Sequence, residues 1–270
     1  MSAKQTDEGL LITMNALITG ATGGLGKEFA KIFAKENYNL ILIARNEEKL
    51  NNLKSELEAS YPVTVTVFAN DLSKEGAANE IFEFTQSAGL EVNVLVNNAG
   101  FGDFGEYSQC DWEKQREMVQ VNVLALMRLT RLYVPAMKSA KSGKILNVAS
   151  VASFQPGPLM SVYYASKAFV LSFSEALYTE LKKSGVTVTA LCPGPVRTGF
   201  EDAANLSNSG LFKNLKVATP YKVALFGYKK MKKGRAVAIQ GARNRFLIFV
   251  SRFSPRSLVR RVVYKIMKVR

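Results

Sequence analysis

The order of apolar and amphipathic segments predicts an α/β fold, a single-domain Rossmann-like doubly wound parallel sheet with helices on both faces. Strand-like and helix-like segments alternate from residue 14 to residue 191, which is the pattern of repeated strand–helix units. Five of the strand-like segments are apolar on both sides, as strands of a sheet covered on both faces must be. Right-handed crossovers between such strands then give a doubly wound sheet.

The predicted strands are short runs of apolar or β-branched residues, and the third of them is the most β-branched. They cover residues 14–19, 40–44, 63–68, 92–96, 144–149, 186–191 and 236–240. The predicted helices carry apolar side chains at helical spacing, as in the stripe Leu50, Leu53 and Leu57. They cover residues 26–36, 46–59, 75–88, 111–138 and 161–184.

No linker or internal repeat divides the chain, so residues 1–245 are predicted to form one nucleotide-binding domain. Within it, residues 199–222 are rich in Asn, Ser and Gly and lack clear periodicity. This composition indicates a mobile substrate lid or a pair of short helices. Residues 246–270 alternate apolar and basic side chains, which predicts a basic amphipathic C-terminal tail.

The composition excludes several kinds of chemistry. Hydrophobic residues make up 47% of the 270 residues, and histidine is absent. Without histidine, Ser-His-Asp and Cys-His catalysis are excluded, and no metal site is expected. The two cysteines, Cys110 and Cys192, lie far apart, which is typical of a reduced cytoplasmic protein. No apolar run reaches the ~18 to 20 residues that span a bilayer, and no secretory signal is expected.

The formal net charge of +14 is unevenly distributed. The 68 residues after Asp202 contain 17 Lys and Arg and no acidic residue, so the first 202 residues sum to −3. Such asymmetry indicates an acidic partner, which is a membrane surface, a nucleic acid or an acidic carrier, although a solvated basic face is the simpler alternative. No nucleic-acid-binding motif accompanies the charge, so no nucleic-acid partner is expected.

A glycine-rich segment joins the first strand to the first helix. Its residues are Thr19, Gly20, Ala21, Thr22, Gly23, Gly24, Leu25 and Gly26. Glycines there permit a tight turn and bring the backbone close to a pyrophosphate, while the helix N-terminus offers free N–H groups. The spacing departs from the G-x-G-x-x-G fingerprint because Phe29 stands at the third glycine position. We interpret the segment as a nucleotide site, with a structural turn as the alternative.

Two residues that follow strands bear on the choice of nucleotide. Arg45 follows the second strand, where NAD-binding proteins commonly place an acid against the ribose. A cation at this point favours the 2′-phosphate of NADP(H), which is the predicted cofactor, unless Arg45 is merely a surface residue at the start of a helix. Asp71 follows the third strand and could accept a hydrogen bond from adenine or cap the next helix.

Tyr163 and Lys167 are four residues apart on a predicted helix and therefore share one face. A tyrosine with a pKa near ~10 is a poor acid–base catalyst, but a nearby cation lowers that pKa toward neutrality. Ser150 closes the preceding strand, at the edge of the sheet where ligands bind in this fold class. These three residues are the candidate catalytic set, in which Ser150 holds the substrate oxygen and Lys167 also binds the nicotinamide ribose.

With these motifs taken together, the chain resembles the short-chain dehydrogenase/reductase superfamily over roughly residues 13–200. The matching motifs, in family order and spacing, are Thr19-Gly20-x-x-x-Gly24-x-Gly26, Asp71-Leu72, Asn97-Asn98-Ala99-Gly100, Asn122, Ser150, Tyr163-x-x-x-Lys167 and Pro193-Gly194-x-x-x-Thr198. The resemblance implies an NADP-dependent oxidoreductase that interconverts a carbonyl and an alcohol.

The resemblance also implies roles for individual residues. Asn122 would kink its helix and hold a water molecule in a proton relay with Lys167. Asn98 would support the nicotinamide side of the cleft, and Thr198 would contact the carboxamide. The remaining cofactor-binding residues that it implies are Leu72, Ala99, Gly100, Pro193, Gly194 and Val196.

The substrate is less well defined. The segments at residues 97–105 and 154–158 look like a broad bacterial reductase branch whose members also end in a basic tail with a Pro-Arg motif, here Pro255-Arg256. Some members of that branch are similar to 3-oxoacyl reductases. The expected substrate is a small or lipophilic carbonyl compound, because the predicted pocket residues are mostly apolar. They are Phe101, Phe104, Phe154 and Pro195, with Ser150.

Predictions about partners complete the interpretation. The resemblance implies a homodimer or homotetramer built through the helices at residues 111–138 and 161–184. The tail, if helical, would contact an anionic membrane peripherally at its inner face, while an acidic acyl carrier, a dimer contact or a capping helix remain alternatives. The competing function is an NADP-binding, membrane-associated regulatory or scaffold protein without turnover, which would not need Ser150, Tyr163 and Lys167.

Overall fold

The computed structural model describes residues 14–197, 199, 204 and 217–268. Seven strands of this part form one sheet in which every neighbouring pair is parallel. The strands are β1 (Asn15–Thr19), β2 (Asn39–Ala44), β3 (Val65–Ala69), β4 (Val94–Asn97), β5 (Gly143–Val148), β6 (Val186–Cys192) and β7 (Val237–Ile239). Their order is β3-β2-β1-β4-β5-β6-β7, so the winding reverses between β1 and β4. This arrangement confirms the predicted fold class.

Helices cover both faces of the sheet. They are α1 (Gly24–Lys35), α2 (Glu47–Ser60), α3 (Ala77–Ser87), α4 (Trp112–Val119), α5 (Leu126–Ser139), α6 (Ser161–Leu181), α7 (Pro220–Lys232), α8 (Ala242–Phe253) and α9 (Arg256–Met267). Short 3-10 helices cover Tyr107–Gln109, Val151–Phe154 and Lys182–Ser184. A π-helical segment, Gln120–Ala125, joins α4 to α5.

Alternation along the strands divides the core into two layers. Side chains of successive strand residues point to opposite faces, so Ile18 and Leu42 pack with α1, α2 and α7, for example against Phe29. Their neighbours Leu17 and Ile41 pack with α3 and α5 on the other face. The strands therefore need apolar residues at nearly every position, which is the pattern that the sequence predicts.

Two predicted segments are divided differently in the structure, and a third is described only in part. The helix predicted over 111–138 is interrupted by the π-helical segment Gln120–Ala125. The tail predicted from residue 246 begins inside α8, which starts at Ala242 and is separated from α9 by Ser254 and Pro255. Most of the predicted lid lies outside the described residues, and its last residues form the first turn of α7. Among the described residues, no helix is long and apolar enough to cross a membrane.

Candidate active site

A cleft of about 1510 Å³ lies along the carboxyl ends of the strands. Loops that follow β1, β2, β3, β4, β5, β6 and β7 all contribute residues to it. A cleft at this edge, where the winding reverses between β1 and β4, is the usual ligand site of doubly wound sheets. The predicted cofactor residues that line it are Gly20, Thr22, Gly23, Gly24, Leu25, Arg45, Asp71, Leu72, Asn98, Ala99, Gly100, Tyr163, Lys167, Pro193, Gly194 and Val196.

Two glycines of the loop after β1 allow its backbone segments to pack closely against each other. Gly20 has a φ of +63°, in the left-handed region that favours glycine. Gly26 is not among the residues that line the cleft, because it packs onto the loop itself. A Cβ at Gly26 would collide with the carbonyl oxygen of Gly20. No side chain caps the N-terminus of α1, and its first turn contains no acidic residue, so its N–H groups and positive dipole are available to an anion.

Thr19 also supports the loop and is not among the residues that line the cleft. Its side chain is buried, and its hydroxyl oxygen accepts hydrogen bonds from the backbone N–H groups of Asn98 and Ala99, both at 3.0 Å. The Asn98 side chain in turn donates to the carbonyl oxygens of Thr19 and Gly20, at 2.9 and 3.2 Å. These bonds tie the loop after β1 to the loop after β4.

Two basic side chains line the part of the cleft that follows β2, where the adenosine ribose of a dinucleotide would lie in this fold class. Arg45 directly follows β2 and lines the cleft together with Lys49, one turn into α2. Asn46, and not Arg45, caps α2, by accepting a hydrogen bond from the Lys49 N–H at 2.7 Å. The Asp71 carboxylate accepts from the Ser73 N–H at 3.0 Å and lines the cleft, while Gly76 occupies the N-cap of α3. Asp71 therefore does not cap that helix.

The structure brings Ser150, Tyr163 and Lys167 together at the centre of the cleft. Ser150 follows β5, and its side chain accepts the Ala152 N–H at 3.1 Å, which starts the short 3-10 helix. The Tyr163 hydroxyl interacts with the Ser150 side chain. The Lys167 amine lies 5.8 Å from the centre of the Tyr163 ring, on the same face of α6, and donates to the Val148 carbonyl oxygen at 2.8 Å.

The electrostatics of this group differ from the prediction in one respect. Lys167 is buried, and burial lowers its pKa from 10.5 to about 8. Burial raises the pKa of the Tyr163 hydroxyl above its usual value of 10, and only the hydrogen bond with Ser150 acts against this increase. The predicted lowering of the Tyr163 pKa by Lys167 is therefore wrong for these side chains alone. The reason is that desolvation is the largest influence on the phenol, while the Lys167 amine is directed at the Val148 carbonyl oxygen.

Asn122 lies behind the cleft, in the π-helical segment. Its side chain is buried, accepts the Phe101 N–H at 3.1 Å and donates to the Phe101 carbonyl oxygen at 2.9 Å. It also donates to the Ser166 hydroxyl at 3.0 Å. A Cβ at Gly100 would lie 2.8 Å from the Asn122 amide oxygen and 3.2 Å from the Lys167 amine, so both groups converge on this glycine. The helix is irregular at Asn122, as the family resemblance implies.

The predicted substrate residues divide into two pairs. Phe101 and Pro195 line the cleft beside Ser150. Phe104 and Phe154 do not, because each packs into an apolar cluster. Phe104 lies in the cluster that contains Met160 and Val263, and Phe154 lies in the one that contains Leu171. Thr198 lies outside the described residues.

Sequence reasoning missed one side of the cleft, which the C-terminal segment supplies. The residues concerned are Gln240, Gly241, Ala242, Arg243, Asn244, Leu247, Lys265, Ile266 and Lys268. No motif marks them, but β7 was predicted, and its carboxyl end had to reach the same edge of the sheet as the other strands. Among the described residues, no group of acidic residues and cysteines could hold a metal ion.

The fold and the cleft define the class of this protein. It is a doubly wound α/β protein with a glycine loop of the nucleotide-binding type, and a tyrosine–lysine pair lines the cleft where the winding of the sheet reverses. The profile of the short chain dehydrogenases matches residues 14–208, which is more than half of the chain. The chain belongs to the short-chain dehydrogenase family.

Named relatives lie within this family. The very-long-chain 3-oxoacyl-CoA reductase of Anas platyrhynchos is 38% identical over 189 residues, which cover 68% of this chain and 60% of that protein. The Homo sapiens protein of the same name is 35% identical over 187 residues, covering 68% of this chain and 59% of the human one. The match thus spans about three-fifths of the length of these relatives.

Solved structures extend the likeness over most of the chain. A short-chain dehydrogenase from Sphingobium yanoikuyae in complex with NADPH superimposes with a TM-score of 0.80 at 28% identity, covering 89% of this chain and 94% of that one. A 7beta-hydroxysteroid dehydrogenase gives a TM-score of 0.82 at 29% identity, covering 93% and 96%.

Proposed function

We propose that the protein is an NADP(H)-dependent oxidoreductase that reduces the ketone of a lipophilic 3-oxoacyl thioester to a secondary alcohol, or runs the reverse reaction. The observation that carries the proposal is the convergence of Ser150, Tyr163 and Lys167 in a cleft that begins at the glycine loop. The substrate class is taken from the names of the 3-oxoacyl-CoA reductases that the chain resembles.

The residues of the cleft fit a dinucleotide. The left-handed Gly20 and the close packing of Gly26 on it bring the N-terminus of α1 to the cleft without a capping side chain. Its N–H groups would hold the pyrophosphate. On the nicotinamide side, the residues proposed to hold the cofactor are Asn98, Ala99, Gly100, Pro193, Gly194, Val196 and Thr198.

The preference for NADP(H) rests on charge. Arg45 and Lys49 line the part of the cleft that follows β2, where an acidic residue would select the unphosphorylated ribose. A guanidinium group binds a phosphate through paired hydrogen bonds, and the Lys49 ammonium adds a second positive charge. The NADPH complex of the related Sphingobium yanoikuyae protein supports the same choice.

The proton chemistry follows from the two shifted pKa values. When bound, the nicotinamide would exchange a hydride with the substrate carbon. Burial raises the pKa of the Tyr163 hydroxyl, so the phenol is protonated at neutral pH. It would donate this proton to the developing alkoxide, which is the stronger base, while the Ser150 hydroxyl holds the same oxygen. Lys167, with a pKa of about 8, is mostly protonated at neutral pH and would return a proton to Tyr163, with Asn122 positioning a water molecule for the relay.

The direct test is a coupled measurement of NADPH consumption and product formation. The purified protein is mixed with NADPH and 3-oxoacyl thioesters of increasing chain length. We expect NADPH to be consumed in a one-to-one ratio with the 3-hydroxyacyl product, with turnover improving as the acyl chain lengthens. Binding of NADPH without oxidation on any carbonyl substrate would instead support the non-catalytic scaffold.

For partners, we propose a homo-oligomer built through α4, α5 and α6. These helices, with the π-helical segment between α4 and α5, carry large apolar side chains that are exposed on the single chain, among them Leu124, Met127 and Phe169. The Phe169 and Phe173 rings stack 5.6 Å apart on α6. Burying such side chains between subunits is favourable. A monomeric mass in light scattering would contradict this proposal.

A cytoplasmic location and peripheral contact between the basic tail and the inner face of an anionic membrane complete the proposal. Cys110 and Cys192 are both free, which supports a reducing compartment. Apolar side chains accompany the positive charge throughout α8 and α9, which favours a lipid surface over a nucleic acid. Fractionation of cells that express the full chain, with and without a high-salt wash, tests both statements.

A further inference from the structure

α8 presents its apolar stripe to solvent. Phe246, Phe249 and Phe253 follow one another at intervals of three and four residues, so they lie on one face of the helix. Their exposed fractions are 65%, 60% and 76%, whereas Ile248, on the opposite face, is buried. The Phe249 and Phe253 rings are in edge-to-face contact, with centroids 5.2 Å apart. Three exposed phenylalanines on one helical face form a surface that needs an apolar partner.

α9 carries a second exposed apolar stripe. Leu258, Val262 and Ile266 follow at intervals of four and are all exposed. The other face of the helix is attached to the domain, because Val263 and Met267 pack in the cluster that contains Met160 and Tyr164. The apolar stripe of α9 is therefore held outward by the packing of the opposite face.

The positive charge around these stripes favours an anionic partner. Residues 242–268 contain eight Arg and Lys and no Asp or Glu. A second copy of the chain placed against this surface would bring like charges together, which is unfavourable. An anionic lipid surface accepts both features, because the phenylalanines enter the headgroup boundary while the basic side chains meet the phosphates.

The surface also borders the cleft. Leu247, next to Phe246, and Ile266, the last residue of the α9 stripe, line the same cleft as Tyr163. Lys265 and Lys268 line it as well. The side of the cleft that the C-terminal helices form is thus continuous with the exposed apolar stripes.

We propose that α8 and α9 form a docking surface for an anionic bilayer, and that docking holds this side of the cleft against the lipid so that a lipophilic substrate passes directly from the bilayer to Tyr163. The docking surface stands on its own observations, whereas the substrate route rests on the function proposed above. The route explains why the helices that carry the apolar stripes also line the cleft.

The first experiment tests docking. The full chain is sedimented with vesicles of phosphatidylcholine and phosphatidylglycerol in equal parts, and with vesicles of phosphatidylcholine alone. We expect binding to the anionic vesicles only, weakened by added salt because the attraction is screened. The triple variant Phe246→Ser, Phe249→Ser and Phe253→Ser should bind about a hundredfold more weakly or worse, because it loses three apolar anchors.

The matched control is Tyr107→Ser with Tyr221→Ser, which removes two exposed aromatic side chains, 60% and 48% exposed, outside the C-terminal helices, the cleft and the helices proposed for the oligomer. It should sediment like the unmodified chain. Failure of the unmodified chain to bind anionic vesicles, or equal binding by the triple variant, would overturn the docking surface. A dimeric mass that the triple variant loses, without vesicle binding, would assign the surface to a second copy instead.

The second experiment separates the substrate route from the reaction itself. NADPH oxidation is compared on a water-soluble short-chain 3-oxoacyl thioester and on a long-chain one carried in anionic vesicles. The triple variant should match the unmodified chain on the soluble substrate and lose about tenfold or more on the vesicle-bound one, as its membrane affinity falls. Equal activity on both substrates would refute the route. Inactivity of both proteins on both substrates would remove the proposed reaction, and the route with it, while sedimentation still decides docking.

Discussion

The Lys167 amine is held 2.8 Å from the Val148 carbonyl oxygen, one helical turn from the Tyr163 phenol. This bond joins α6 to the end of β5, and it places a buried positive charge at the point where the sheet opens into the cleft. The burial that makes Lys167 useful as a proton donor near neutral pH also makes its charge costly to the folded state.

Replacing Lys167 by an apolar side chain should therefore stabilise the protein. Burial lowers the Lys167 pKa from 10.5 to about 8, and each pKa unit between folded and unfolded states corresponds to ~1.4 kcal/mol. The hydrogen bond to Val148 offsets about 1 kcal/mol. Lys167→Met is expected to raise the free energy of unfolding at pH 7 by about 2 kcal/mol and to abolish turnover.

The stabilisation expected from Lys167→Met should decrease as the pH rises above about 8. Below pH 8 the amine is protonated in both states, and the full cost of burying it is present. Between about pH 8 and pH 10.5 the unfolded chain binds more protons than the folded one, so the unmodified protein gains stability as the pH rises. Denaturant unfolding at pH 7 and pH 10 should show the advantage of Lys167→Met shrinking. A constant difference would contradict a lowered pKa.

Arg45 should determine the choice between the two nicotinamide cofactors. Arg45→Asp replaces the cation that lines the cleft after β2 with a carboxylate that repels a 2′-phosphate and accepts from a ribose hydroxyl. We expect the ratio of kcat/KM for NADPH to that for NADH to fall by about a hundredfold or more, as for loss of a charge-assisted phosphate contact. Lys54→Asp, on α2 but outside the cleft, is the control. Unchanged discrimination by Arg45→Asp would refute the role of Arg45.

Thr19 should matter for stability more than for direct contact with a cofactor. Thr19→Val keeps the shape of the side chain but removes the acceptor of the Ala99 N–H, whereas the Asn98 N–H keeps the Val96 carbonyl oxygen at 3.0 Å. A polar group left without a partner costs about 1 to 3 kcal/mol when it is buried, and the Ala99 N–H is partly buried, so a loss of about 1 to 2 kcal/mol is expected in thermal or denaturant unfolding. Thr19→Ser retains the hydroxyl and should retain most of the stability. Full stability of Thr19→Val with loss of NADPH binding would restore the cofactor role.

The fold was predictable because its signals are local and repeated. Strands such as β2, apolar from Leu40 to its end, alternate with amphipathic helices such as α2, and each signal can be recognised without knowledge of the others. The π-helical segment at Asn122 was not predictable from helix propensity, since nothing in the residues Gln120–Ala125 interrupts a helix. Its irregularity was expected only through the family resemblance.

The site residues were predictable where a motif requires a particular residue type, and less so where packing determines which way a side chain faces. Gly20, Tyr163 and Lys167 line the cleft as their motifs indicate. Phe104 and Phe154 were assigned to the pocket because an apolar side chain near a motif has the same composition whether it faces a cleft or a core. The sequence also carries no sign that α8 and α9 fold back onto the cleft, because that depends on long-range packing of Val263 and Met267.

The role of Tyr163 as the proton donor is tested most directly by comparing it with the adjacent tyrosine. Tyr163→Phe removes the proton donor, whereas Tyr164→Phe removes a hydroxyl from a side chain that packs against Met160 and Val263. Measured as NADPH-dependent reduction of one 3-oxoacyl thioester, Tyr163→Phe should lose about 10²- to 10⁴-fold in kcat, while Tyr164→Phe should stay within a few-fold of the unmodified protein. Turnover that survives in Tyr163→Phe, with NADPH binding intact in both variants, would show that the Tyr163 hydroxyl is not the proton donor.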